Sequence, residues 1–213
     1  MSTAPELDDS TAPPVDGRTA RAVRTRERIV DACIALIQEG DVRPTAPRIA
    51  ERAEVSVRSI FQHFDDLETL FRAVGDRVTE HVVDLIAPID PAGPLDQRID
   101  SFVQQSCRVN EVLSPINQAA LVFAPGSPVI TKQFEDGHRF LREQVQAAFE
   151  PELGSAGDAR SVLVDGLVVA LSLSTWRMLR LQDHRSVDRT RATVGHLVRL
   201  AFRGAGLEPD PPS

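Results

Sequence analysis

Between Thr45 and Phe64 the chain gathers side chains suited to reading a nucleic acid. Arg58 can fork onto a guanine edge and Gln62 onto an adenine edge, while Val57 or Phe61 can touch a thymine methyl. Thr45, Ser56 and His63 suit phosphate oxygens, as do the free N–H groups at two helix starts. Arg48 and Ser59 lie in the same stretch and complete the set of candidate DNA contacts. The competing reading is an ordinary helical pair with solvated polar faces.

Such contacts need rigid carriers. Thr45 is a good N-cap and Pro47 fits a first helical turn, where its missing N–H costs nothing. Ile49, Ala50 and Ala53 form the inner face of that short helix. Ala53-Glu54-Val55 breaks it, and Ser56 caps a second short helix over Val57 to His63, with Ile60 and Phe64 inward. This spacing predicts a helix-turn-helix, whose second helix enters the major groove N-terminal end first. Helices this short do not hold alone and must pack on their neighbours. The neighbours are a helix over Arg18 to Glu39, with Ile29, Val30, Cys33, Ile34 and Ile37 as its apolar stripe, and one from Leu67 to about Pro88. Asp65 or Asp66 caps the latter, whose length suits a connector between domains. Arg18, Arg21, Arg24, Arg26 and Arg28 precede or open the first helix, where cations sit poorly. A nearby phosphate would relieve that, and a frayed, solvated start would equally accommodate it.

The remainder reads as helical. The pattern predicts helices over Leu95 to Leu113, Ile116 to Phe123 after Pro115, Val129 to Phe149, Asp158 to Leu181 and Ser186 to Arg203. Loops are expected over Pro88 to Pro94, Pro125 to Pro128 and Pro151 to Gly157. Asp158 to Leu181 is apolar nearly all round, which predicts burial nearly all round, one side against another subunit. No segment alternates with period 2, so the expected class is all-α with about nine helices. The expected organisation is a disordered arm over residues 1–17, a helix-turn-helix DNA-binding domain over 18–65, a helical ligand-binding and dimerisation domain over 66–205, and a loose tail over 206–213.

Charge is unevenly placed in this chain of 213 residues and net charge −7. Residues 1–16 carry four acids and no base, residues 17–64 nine bases and six acids, and residues 65–213 fifteen bases and twenty-one acids. A basic segment on an acidic body suits a polyanion at one end only. The longest mostly apolar run, Val162 to Thr175, contains Asp165 and falls short of the ~18 residues of a membrane span. The acidic N-terminus lacks the features of a signal peptide. Cys33 and Cys107 lie far apart and read as small buried apolar groups in a cytoplasmic chain.

From Thr25 to Val74 the chain resembles the DNA-binding domain of the TetR family of bacterial transcriptional regulators. The resemblance is carried by the apolar helix Ile29 to Ile37, by Thr45/Ile49/Ala50, by Val55-Ser56, by Ile60-Phe61-Gln62-His63-Phe64, and by Glu68, Leu70 and Phe71. There are departures. Glu54 stands where the family turn has glycine, so the turn must do without glycine's freedom at positive φ. Phe61 replaces a tyrosine and Leu67 a lysine, which removes two phosphate-contacting groups; Arg58 can compensate for the lysine.

The resemblance implies a homodimer through the last two helices, with recognition helices roughly 34–36 Å apart on a near-palindromic double-stranded operator. It also implies a C-terminal pocket for a small-molecule effector that shifts the connector helix, releasing a repressor from DNA. Candidate lining residues are Phe102, Cys107, Phe123, Phe134 and Trp176, with Ser106, Asn110, Asn117 and His138 supplying polarity. Asp165, expected buried, needs a partner: Arg160, Arg177, a dimer mate or a cationic ligand. No CxxC pair, phosphate loop or nucleophile elbow marks an enzyme, and neither catalytic residues, metal nor cofactor is expected. The alternative function is a helical dimeric interaction module of the same fold that has lost its operator.

Overall fold

The computed structural model describes residues 17–123 and 125–207, apart from the side chains of Arg18 and Phe123. Ten α-helices and no strand occur among the described residues. They are α1 (Gly17–Gln38), α2 (Ala46–Arg52), α3 (Val57–His63), α4 (Leu67–Asp84), α5 (Leu95–Phe123), α6 (Pro128–Ala148), α7 (Glu150–Ser155), α8 (Arg160–Leu171), α9 (Leu173–Arg177) and α10 (Val187–Gly204). A 3-10 turn, Gly157–Ala159, precedes α8, and a π-helical turn, Met178–Gln182, follows α9. The arm expected over 1–17 lies outside the described residues except Gly17, where α1 already begins. Of the tail expected over 206–213, only Gly206 and Leu207 are described, and Leu207 packs on the body.

Two apolar cores form, and one helix belongs to both. The first joins α1 to α4: Ile29, Cys33, Ile37, Ile49, Ile60, Phe64, Leu70 and Val74 are buried together, with Ile116 and Ala119 of α5. The second joins the first half of α5 to the end of α6 and to α7, α8, α9 and α10 through Phe102, Phe149, Leu153, Leu167, Trp176 and Phe202. Phe149 stacks edge-on against Phe202 with centroids 5.1 Å apart and tilts against Phe102 at 5.5 Å. Arg98, buried on α5, forks onto Glu152 of α7, donates to the Ala148 carbonyl at 2.9 Å, and holds the corner where α6 turns into α7. A charge this deep requires such pairing.

Three expectations about elements are corrected. Pro115 does not divide α5, which runs unbroken for 29 residues. Packing of Val112, Leu113, Ile116 and Ala119 on the first core offsets the roughly 3 kcal/mol that an internal proline costs. Pro151 to Gly157 is not a plain loop: Pro151 occupies the first turn of α7, where proline is at home. Asp158 to Leu181 is not one helix. It breaks at Ser172, with the path bent by 40°. There the Ser172 hydroxyl accepts from the Thr175 N–H at 3.2 Å, and the Asn110 amide donates to the stranded Leu171 carbonyl at 3.0 Å. Serine and threonine compete with the backbone in this way without glycine or proline. On α8, Val162 and Val169 are 73% and 65% exposed along one face of the single chain, while Leu163, Val164, Leu167 and Val168 are buried.

Candidate nucleic-acid interface and ligand cavity

Glu54 holds the turn between α2 and α3 at φ 52°, the left-handed region. A non-glycine residue there costs roughly 1–2 kcal/mol. Arg28 of α1 secures the turn, its guanidinium donating to the Ala53 carbonyl and to Glu54 Oε2 at 3.3 Å. Sequence reasoning treated Arg28 as one of five opening bases. The signal for its role was the missing turn glycine, which needs a compensating clamp.

α3 is capped as expected, with Ser56 Oγ accepting from the Ser59 N–H at 3.1 Å. Ile60 and Phe64 face inward, fully buried. Arg26 lies 4.8 Å from the centroid of the Phe64 ring and pins the end of the helix to α1. The outward face then presents Val57, Arg58, Phe61 and Gln62, all exposed, with half of the Phe61 surface open to solvent. Arg58 has no ion pair among the described residues, as with Arg21, Arg24 and Arg43 nearby. Thr45 makes no capping hydrogen bond with its hydroxyl and stands exposed at the start of α2. Ser59 and His63 are half-buried at the flank. Arg48 is exposed but paired with Asp41, so it must exchange that partner to meet a phosphate. The nine candidate DNA contacts thus fall on α2, α3 and their caps.

A cavity of about 1320 Å³ opens between α4, α5, α6 and the segment formed by α9 and the π-helical turn. That exceeds the usual span of small-molecule sites. Its α4 wall is Phe71, Val78, Thr79, Val82 and Val83, on the connector itself. Six candidate lining residues come together there: Phe102, Ser106, Asn110, Asn117, Phe134 and His138. Two do not. Cys107 and Trp176 turn into the second core, 4% and 1% exposed, because α5 and α9 present their opposite faces to it. The Phe123 side chain lies outside the described residues. The Cys107 thiol is pushed up to about 11 and the Cys33 thiol to about 12, both by burial. Sequence reasoning missed Gln133, Arg177 and Met178 as lining residues, since only the break at Ser172 turns the latter two inward.

Asp165 is not buried. Its side chain is 63% exposed and takes a 2.7 Å hydrogen bond from Arg142 of α6, not from Arg160 or Arg177. Elsewhere α6 holds the connector directly. Ser127, its N-cap, donates to Glu68 in the first turn of α4, and the Gln133 amide reaches Asp76 at 3.3 Å over Gly75. Among the described residues no group of three or more His, Cys, Asp or Glu gathers to hold a metal ion, and no single helix is long and apolar enough to cross a membrane.

Residues 29–74 match the family model of bacterial regulatory proteins, tetR family. No curated protein matches the chain. Solved structures are similar over most of its length. A tetR-family transcriptional regulator from Streptomyces coelicolor is 14% identical at TM-score 0.67, covering 86% of this chain and 82% of that one. A transcriptional regulator from Rhodococcus sp. RHA1 is 15% identical at the same TM-score, over 86% and 99%. The multidrug binding protein EbrR, solved with imidazole, is 17% identical at TM-score 0.58, over 95% and 100%.

Proposed function

We propose that the chain is a ligand-responsive transcriptional repressor acting in the cytoplasm; the reading is supported by the tetR-family model match over residues 29–74 and by the fold shared with solved regulators. Residues 18–65 read a palindromic operator and residues 66–205 bind ligand and dimerise. One observation carries the reading: the helix that follows the recognition helix is also a wall of the cavity. The front of α4 packs into the first core through Leu70, Phe71 and Val74. A ligand pressing on Val78, Thr79 and Val82 acts on the same rigid rod. It shifts the DNA affinity only through a difference in its own affinity for the two states. The hydrogen bond from Ser127 to Glu68 ties the motion of α6 to the same end of α4.

Dimerisation is supported by α8 and α10, which pack side by side and leave Val162, Val169, Leu197 and Leu200 exposed. Small-molecule binding is supported by the cavity, and by the imidazole complex of the structurally similar multidrug binding protein. The deciding experiment is a pull-down of sheared genomic DNA by the purified protein, with the enriched fragments sequenced. A recurrent near-palindrome is expected. Enrichment that is diffuse and merely salt-sensitive, or none at all, would favour a dimeric interaction module without an operator. Titrating salt separates phosphate contacts from protein contacts, because each phosphate contact contributes a slope of about −0.9.

A further inference from the structure

Building on the ligand-responsive reading, we propose that the cavity takes an amphipathic carboxylate, its apolar body among the helices and its carboxylate on Arg177. The lining is mostly apolar, including Phe102, Phe134, Leu171 and Met178. Among the described residues Arg177 is the only Arg or Lys in it. The side chain is half-buried at the end of α9 and has no ion pair among the described residues. Its Nε is buried without a hydrogen-bond partner. A buried donor left unpaired carries a desolvation cost that an oxyanion would remove, and the guanidinium fork fits a carboxylate with two parallel bonds.

The acidic lining residues do not compete as sites for a cation. Asp136 already holds Lys132 at 3.1 Å and Arg139 at 3.0 Å. Asp76 is exposed, keeps its hydration and accepts from Gln133. His138, on α6, is exposed. A phosphate ester carries more charge than one guanidinium neutralises, whereas a carboxylate matches it one to one. The break at Ser172 is what brings Arg177 here, since a continued α8 would carry it along another line.

The test uses the full chain and three probes of one chain length: decanoate, 1-decanol and decylamine, titrated by calorimetry. Decanoate is expected to bind wild type at least tenfold tighter than decanol, with decylamine weakest. Arg177→Gln is expected to weaken decanoate by roughly tenfold to a hundredfold and to leave decanol unchanged, which also shows that the variant is folded. Arg177→Lys keeps the charge, loses the fork and falls between. The proposal is overturned if decanoate does not bind, if decylamine binds as well, or if Arg177→Gln binds decanoate like wild type. If Arg177→Gln does not fold, the wild-type order of the three probes decides. Operator affinity measured alongside separates this site from the regulator reading. Decanoate bound through Arg177 without change in DNA affinity supports the site and refutes ligand-controlled DNA binding. DNA release by decylamine or decanol but not decanoate does the reverse.

Discussion

At the scale of single residues, the proposed DNA-reading surface centres on Arg58, exposed on the outward face of α3 and without an ion pair among the described residues. Replacing it by Ala should cost about 1–3 kcal/mol on the cognate site and relax preference at one base pair. Fluorescence anisotropy on a panel of operator variants checks this, and unchanged affinity with unchanged preference would remove Arg58 from the interface. The two thiols make a contrasting case. Burial raises Cys33 to about 12 and Cys107 to about 11, so neither ionises near neutral pH, and the thiolate is the reactive form. Ellman's reagent at pH 8 should label neither in the native protein and both in guanidinium chloride. Fast native labelling of Cys107 would place it on an accessible wall after all.

At the scale of elements, the short helices were legible because their ends are chemically marked. Ser56 and Asp66 cap α3 and α4 as their side chains predict. The break at Ser172 was not, because Leu171-Ser172-Leu173 contains neither glycine nor proline and a hydroxyl does the work. Pro115 and Pro151 misled in the opposite direction, since packing and helix position decide whether proline interrupts. Part of the cavity wall therefore stayed hidden while the outward face of α3 did not. Contact between α4 and α6 offers a test at this scale. A Cβ on Gly75 would lie 2.8 Å from Gln133 Nε2, the flexible end of a side chain that can withdraw. Gly75→Ala should therefore gain up to about 1 kcal/mol from helix propensity, raising the melting temperature by about 2–4 °C. A lower melting temperature would mean that Gln133 is held too firmly to move.

At the scale of the molecule, the exposed face formed by Val162, Val169, Leu197 and Leu200 is the proposed dimer contact. Val169→Asp, at a position 65% exposed in the single chain, should leave the fold intact, judged by circular dichroism. It should convert a dimer to a monomer in sedimentation and abolish tight operator binding, because two half-sites are then no longer linked. A dimer that survives this change would place the interface elsewhere. The exchange of α5 between the two cores has a different kind of consequence. Ile116 and Ala119 complete the interior around α1 to α4, although they lie far along the chain from it. The unit proposed to read DNA is therefore not a transferable cassette. A chimaera joined after residue 65 would leave that interior unroofed, and grafting this specificity onto another regulator means transplanting the matching stretch of α5 as well.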